Sequence, residues 1–180
     1  MGVLYLAATS PKSGLSTVRD VNNIPKFMND IPEILERVAQ KVGDYLSGKI
    51  ADKMTMQDPS WKPLAASTIR RKKSSKVWID TGEIFNLISN AVESVHTEGI
   101  NPKFVQVGIF DSEKAFAAIC NEFGTNGGSV VAGGMIHSWN HIPERPLFRL
   151  VFDEEQDNIT DMIHRELAAE IEKYLVKYFS

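Results

Sequence analysis

The chain has 180 residues, 43% of them hydrophobic, and a formal net charge of −3. This length predicts one domain that buries about 70% of the surface its unfolded form exposes. The slightly acidic balance gives no general attraction to nucleic acid or to an anionic membrane. The single cysteine excludes an internal disulfide, and no segment is long and apolar enough to predict a transmembrane helix.

The N-terminal half is predicted to contain a flexible arm and one long helix. Loop-like composition predicts an arm over residues 1–18, ahead of a single domain over residues 19–180. The helix is expected to begin near Asp30, because Asp30 and Glu33 have capping-box spacing and Pro32 then falls in the first turn. A helical turn before Asp30 is an open alternative. The apolar face recurs at Ile31, Ile34, Leu35, Val38, Val42, Leu46, Ile50 and Met54.

A basic segment lies in an irregular region, residues 57–79, in which a short helix is expected to begin at Ala65. Its basic residues are Arg70, Arg71, Lys72, Lys73 and Lys76. Such a run suits phosphate contacts, for example in a channel or at an interface. Without interleaved aromatic residues, a solvated loop is the favoured interpretation.

The second half is predicted to hold a strand pair, a short helix, a glycine-rich loop and a final long helix. The strands are expected at residues 89–96 and 103–110, from the alternation of apolar residues. Asp111 or Ser112 is expected to cap the short helix, and Gly124 to end it. Its apolar face carries Phe116, Ile119, Cys120 and Phe123. The glycine-rich loop, which we expect to be mobile, contains Gly124, Gly127, Gly128, Gly133 and Gly134.

Pro143 and Pro146 form a stiff lead-in to the final helix, with Pro146 in its first turn. Within that helix, residues 153–158 are polar, so a kink and an exposed continuous helix both remain open. The apolar face shows Ile159, Met162, Ile163, Leu167, Ile171, Leu175 and Tyr178. Together the elements predict an α+β fold, with a small antiparallel sheet packed by a long helix from the N-terminal half and a long C-terminal helix.

Two motifs resemble those of enzyme active sites. Asp80-Thr81-Gly82 follows an apolar residue, as in aspartic proteases, whose mechanism needs a second carboxylate and an all-β body. Here a helical pattern follows the motif, so a cap or turn is the favoured interpretation. His137 and His141 have the spacing of a zinc pair, but they lie in a loop before Pro143. We therefore expect no catalytic residue, no metal site and no cofactor.

Four short motifs occur in a fixed order along the chain. They are Trp61-Lys62-Pro63-Leu64 with Thr68, Ile79-Asp80-Thr81-Gly82-Glu83-Ile84, Ala117-Ala118 leading to Glu122-Phe123-Gly124-Thr125, and Ile142-Pro143-Glu144-Arg145-Pro146-Leu147-Phe148-Arg149. This series resembles the virion morphogenesis family of tailed phages, which comprises the tail-completion and neck proteins of Mu-like phages and their relatives. The resemblance covers roughly residues 20–180. Leu147-Phe148 departs from it, because the family more often has Phe-Leu there.

The resemblance implies a non-enzymatic α+β subunit that assembles as a ring, for example a hexamer, at the head–tail junction or the tail end. Its implied partners are further copies of itself, the head–tail connector and the tail tube proteins, with DNA only as cargo in the channel. The implied location is the virion, and the host cytoplasm during assembly. A minor tail or head-closure component is the alternative, and an aspartic-protease-like enzyme is a distant one.

The resemblance also assigns structural roles to particular residues. They are Trp61, Pro63, Leu64, Asp80, Thr81, Gly82, Glu122, Phe123, Gly124, Thr125, Pro143, Arg145 and Pro146. Candidate interface or channel residues are the five basic residues of the 70–76 segment and Gly127, Gly128, Gly133 and Gly134. Arg145 lies between two prolines that hold its backbone, so its guanidinium can reach a carboxylate, and the resemblance implies that this carboxylate is Glu122.

Overall fold

The computed structural model describes residues 23–94, 103–132, 135–139 and 141–179. The helices in these ranges are α1 (Ile24–Met56), α2 (Ala66–Lys72), α3 (Glu83–Asn86), α4 (Ser112–Phe123) and α5 (Phe148–Phe179). The strands are β1 (Ile88–Ser94), β2 (Lys103–Ile109), β3 (Gly128–Ala132) and β4 (Met135–Trp139). The predicted α+β class is confirmed, since α1 packs against both the β1–β2 sheet and α5. The predicted N-terminal arm lies outside the described residues.

Helix α1 begins at Ile24, earlier than the capping-box spacing predicted. The preceding turn is helical because Pro25 stands in the first turn, where a missing N–H costs nothing. Asp30 and Pro32 are therefore inside the helix, so the predicted cap at Asp30 is wrong. The predicted apolar face is confirmed by its buried members Ile34, Val38, Val42, Ile50 and Met54.

Helix α5 runs antiparallel to α1 and is continuous through its polar stretch, so the kink does not occur. Acidic residues of α5 face basic residues of α1 along the pair. Lys53 Nζ lies 2.7 Å from Glu154 Oε1, and Lys49 Nζ lies 2.9 Å from Glu155 Oε1. At the opposite end, Arg37 Nη2 lies 3.0 Å from Glu170 Oε2. Opposite charges in this order favour the antiparallel register over a slipped one.

The core lies where α1, the 57–79 segment, α4 and the start of α5 meet. Its buried members are Ile50, Met54, Trp61, Val77, Trp78, Ala118, Leu147 and Val151. Strands β1 and β2 pair antiparallel, with Ile88 opposite Ile109, and Val107 and Ile109 pack against this core. The predicted strand pair and the short helix after Ala65 are both confirmed.

The glycine-rich segment contains regular structure, contrary to the predicted loop. Strands β3 and β4 pair antiparallel as a separate hairpin, in which Val131 is opposite Ile136. An isolated bridge between Thr125 and Ile142 closes the base of the hairpin. Two short apolar runs separated by Gly133 and Gly134 are a hairpin signal, and the glycine content concealed it. Gly133 and Gly134 themselves lie outside the described residues.

Candidate functional site

The segment just before α5 is held by hydrogen bonds from several distant parts of the chain. Arg145 donates three of these bonds. The backbone N–H of Arg145 donates to the carbonyl of Asn121 (2.7 Å). Its Nε donates to the carbonyl of Lys62 (2.7 Å), and Nη2 to that of Pro63 (3.2 Å). Burial lowers the pKa of the Arg145 guanidinium. This side chain therefore ties the Trp61–Leu64 motif to the start of α5.

Glu122 is buried at the end of α4 and caps the first turn of α5. Its carboxylate accepts hydrogen bonds from the backbone N–H groups of Leu147 (2.6 Å), Phe148 (3.1 Å) and Arg149 (3.1 Å). These are donors that the first turn of a helix leaves without an internal partner. A carboxylate at this position also favours the positive end of the helix dipole.

The predicted pairing of Arg145 with Glu122 is wrong. Glu122 bonds instead to Arg149, whose Nε lies 3.2 Å from Glu122 Oε1. The Arg149 guanidinium also lies 4.8 Å from the centre of the Phe123 ring. The hydrogen bond to Glu122 raises the pKa of Arg149. Arg145 is close in sequence to Leu147, Phe148 and Arg149, the residues that bind Glu122. Its own side chain extends instead to the carbonyl oxygens of Lys62 and Pro63.

Two buried indoles hold the backbone of the same segment. Trp61 Nε1 donates to the carbonyl of Pro146 (2.7 Å), and Trp78 Nε1 donates to the carbonyl of Arg145 (3.0 Å). Trp78 also meets Phe148 edge to face, with ring centroids 6.0 Å apart. Both indoles thus satisfy carbonyl groups that would otherwise be desolvated without a partner. Pro146 precedes the first turn of α5 instead of lying within it, because the helix begins at Phe148.

Gly124 makes the sharp turn between α4 and the hairpin. It ends α4 as predicted, with φ of 69°, a conformation that favours glycine. A Cβ at this position would lie 2.7 Å from the carbonyl oxygen of Ile142 and 2.8 Å from the nitrogen of Glu144. The chain then pairs through Thr125, whose N–H donates to the Ile142 carbonyl (2.8 Å) and whose carbonyl accepts from the Ile142 N–H (3.0 Å). This pairing fixes the point at which the chain leaves the hairpin, directly before Pro143 and Pro146.

The Asp80-Thr81-Gly82 motif stands apart from this cluster. Asp80 and Thr81 are exposed, and Gly82 has φ of 85° and directly precedes the short helix α3. This geometry is the turn that the sequence favoured.

The basic segment forms the end of α2 and the turn after it. Arg70, Arg71 and Lys73 are exposed, whereas Lys72 is half-buried and donates through Nζ to the carbonyl of Lys76 (3.2 Å). Burial lowers the pKa of Lys72. His141 is exposed beside the hairpin base. Within the described residues, no group of three or more His, Cys, Asp and Glu side chains could hold a metal ion.

Helix α4 has the predicted bounds, but its large apolar side chains point outward. Among its described side chains, Ala118 and Glu122 are buried, whereas Phe116, Ile119 and Phe123 are exposed. A mainly apolar groove of about 320 Å³ lies beside this helix, lined by Val107, Gly108, Ile109, Ala115, Ala118, Ile119, Glu122, Phe123, Phe148 and Arg149. Helix α4 therefore exposes a continuous apolar face beside an apolar groove.

Several residues that build the site were missed from the sequence. Gln57 bridges to the 77–78 segment, because its Oε1 accepts the N–H of Val77 (2.6 Å) and its Nε2 donates to the Val77 carbonyl (3.0 Å). Trp78 stood directly before the Ile79 motif, and Arg149 ended the last motif, so both carried a signal in their position. Gln57 carried none, since its partner is brought close only by the fold.

Comparison with protein-family models, with curated proteins and with solved structures finds no match to this chain. Among the described helices, none is both long and apolar enough to cross a bilayer. The geometry of the chain itself is therefore the basis for a functional conclusion. Arg145, Glu122, Trp61 and Trp78 all bind backbone groups of neighbouring segments. Their role is therefore to fix the position of α5 relative to α4 and to the Trp61 segment.

Proposed function

We propose that the chain is a structural virion protein of a tailed bacteriophage that acts in tail completion or head–tail joining. In this proposal it forms a neck or tail-terminator ring from copies of itself, with connector and tail tube proteins as neighbours and DNA as cargo in the channel. The observation that carries the proposal is that three of the four ordered motifs meet in one buried cluster around Arg145, Glu122 and Trp61.

The three motifs are distant in sequence but contact one another in the fold. This contact supports a common structural role for them over a chance match of short motifs. The bonds within it are directed at backbone atoms: the carbonyls of Lys62 and Pro146 and the N–H of Leu147. Such bonds hold a subunit rigid, which a ring subunit needs because small errors in the angle between neighbours prevent closure. The apolar outer face of α4 and the separate hairpin then provide surfaces for contact with neighbours.

The proposal is tested by native mass spectrometry and negative-stain electron microscopy of the purified protein over a range of concentrations. We expect a closed ring with one stoichiometry and a central opening that admits duplex DNA. A protein that stays monomeric at every concentration, or that forms only twofold dimers, would contradict the ring. An Asp80→Asn variant should assemble like the wild type, because Asp80 is exposed and outside the motif cluster.

A further inference from the structure

The β3–β4 hairpin exposes apolar side chains on both of its faces. Val131 and Ile136 are opposite each other, so their side chains share one face, and they are 70% and 75% exposed. Met135, next to Ile136, is exposed on the other face, because successive side chains of a strand alternate. A two-stranded hairpin by itself is only marginally stable in water, and these three described apolar side chains are exposed. Its open strand edges also invite pairing with another chain.

The hairpin is uncharged although a quarter of the chain is charged. No Asp, Glu, Lys or Arg occurs between Phe123 and Glu144. Exposed strand edges are ordinarily protected from association by such charges. Their absence here favours an uncharged contact surface over a charged one such as nucleic acid.

The groove beside α4 is a surface of matching character on the same chain. Its floor is strand β2, whose only described neighbour strand is β1, and its wall is α4. A Cβ built on Gly108 would meet no atom within 4 Å, so the floor is open at this residue. The two ionisable groups in the groove, Glu122 and Arg149, are paired with each other and with the start of α5. An uncharged occupant therefore leaves no charge unpaired.

The exposed apolar surface of α4 supplies part of the area that a contact between proteins needs. Phe116 and Phe123, at 71% and 60% exposure, present roughly 250 Å² of aromatic surface. That is about a third of the 800 Å² that one partner buries in a typical stable interface. Ile119 lies between the two rings on the same side of α4, so the stripe is continuous with the groove.

We propose that the hairpin of one copy docks into the groove between β2 and α4 of the next copy. The inference rests on the proposed function, since it names the contact that would join neighbouring ring subunits. No described hairpin residue lines the groove of its own copy. Because hairpin and groove are different surfaces, the contact is head-to-tail, and repeating it closes a ring when the rotation allows. A strand of the hairpin pairs with the open edge of β2, which adds main-chain hydrogen bonds to the apolar contact.

Two single variants and their mixture test this contact. Ile136→Lys damages the hairpin and Ile119→Lys damages the groove, each at an exposed position. Each variant alone should lose the ring, with self-association weakened by about 30-fold or more. In an equal mixture, the intact hairpin of the Ile119→Lys copy can enter the intact groove of the Ile136→Lys copy. The mixture should therefore form dimers that do not grow further, as measured by light scattering after size exclusion.

Met28→Lys is the matched control, because Met28 is an exposed apolar residue near the start of α1, and this variant should form the ring. Gly108→Val is a second groove variant that adds volume without charge and should behave like Ile119→Lys in both assays. Near-ultraviolet circular dichroism establishes that each variant is folded. If Ile119→Lys does not fold, Gly108→Val replaces it in the mixture.

The outcomes separate this inference from the proposed function. Rings formed by Ile136→Lys and Gly108→Val would overturn the docking contact and leave the ring function standing. Monomeric variants whose mixture also stays monomeric would overturn the head-to-tail contact while the wild-type ring remains. A wild-type protein that never assembles would overturn both. Dimers in the mixture, with rings in the wild type and the Met28→Lys control, support the inference.

Discussion

Removal of the Glu122 carboxylate should be among the most destabilising single changes in this protein. The carboxylate is buried and accepts the N–H groups of Leu147, Phe148 and Arg149, the donors at the start of α5. In Glu122→Ala these three groups lose their acceptor, and the bond to the Leu147 N–H is a buried one. Loss of an ordinary helix cap costs about 1 kcal/mol. A buried donor left without its acceptor costs about 1–3 kcal/mol, and a hydrogen bond to a charged group contributes about 1.5–3 kcal/mol.

Because three donors share this one charged acceptor, the loss exceeds that of an ordinary cap. We therefore expect Glu122→Ala to lower the free energy of unfolding by about 3–5 kcal/mol, a large part of the roughly 5–15 kcal/mol typical of a domain. Glu122→Gln keeps one acceptor oxygen and loses the charge, so it should cost less, about 2 kcal/mol. Arg149→Ala should cost less than Glu122→Ala, because the Arg149 side chain is half exposed and water can replace it.

The assay is urea unfolding followed by tryptophan fluorescence, since both Trp61 and Trp78 contact the segment before α5. The double variant Glu122→Gln, Arg145→Lys distinguishes the observed bonds from the pairing that the sequence suggested. The double variant should be less stable than either single variant, because the two side chains hold different partners. A double variant as stable as Arg145→Lys alone would mean that the two side chains pair, and would refute this reasoning.

Three further predictions concern glycine, tryptophan and acid. Gly124→Ala should destabilise the protein by about 2 kcal/mol, because Gly124 has a positive φ and an added Cβ would meet backbone atoms. The control Gly48→Ala, in open space on α1, should stabilise the protein by about 0.5–1 kcal/mol. Thermal unfolding of both variants is the measurement, and equal shifts in melting temperature would contradict this prediction. Trp61→Phe should cost about 1–3 kcal/mol by leaving the carbonyl of Pro146 without its donor, and an unchanged urea midpoint would argue against that bond. Hydrogen bonds from Tyr45, Asn158 and Lys49 lower the pKa of Glu155 to about 2 in the folded protein. The ionised carboxylate therefore contributes its full stabilisation above the unfolded pKa of about 4.3, and this stabilisation is lost as the pH falls towards 2. The melting temperature should fall over this range, and Glu155→Gln should make the fall shallower; an equally steep fall in the variant would count against the assignment.

The helices and strands could largely be predicted from the sequence, because their signals are local. The apolar period of α1, the alternation in β2 and the end of α4 at Gly124 each depend on residues a few positions apart. The sequence predicts too late a start for α1, because the Asp30–Glu33 spacing resembles a cap. The helix in fact begins at Ile24, with Pro25 in its first turn. The hairpin was missed because its glycines resemble a loop when strand pairing is not considered.

The sequence by itself identified most of the site, including Trp61, Glu122 and Arg145, whereas only the tertiary structure decided which residues touch and added Gln57 to them. Periodicity assigns a side chain to one face of its element, but the neighbour opposite that face depends on how distant elements pack. Arg145 and the Lys62 carbonyl are 83 residues apart, and they meet because the 57–79 segment and α5 pack on the same core. For the same reason, the apolar stripe of α4 could be found from the sequence, but its outward direction could not. The buried side of α4 is set by Glu122, whose carboxylate must reach the start of α5, and this leaves Phe116 and Phe123 on the surface.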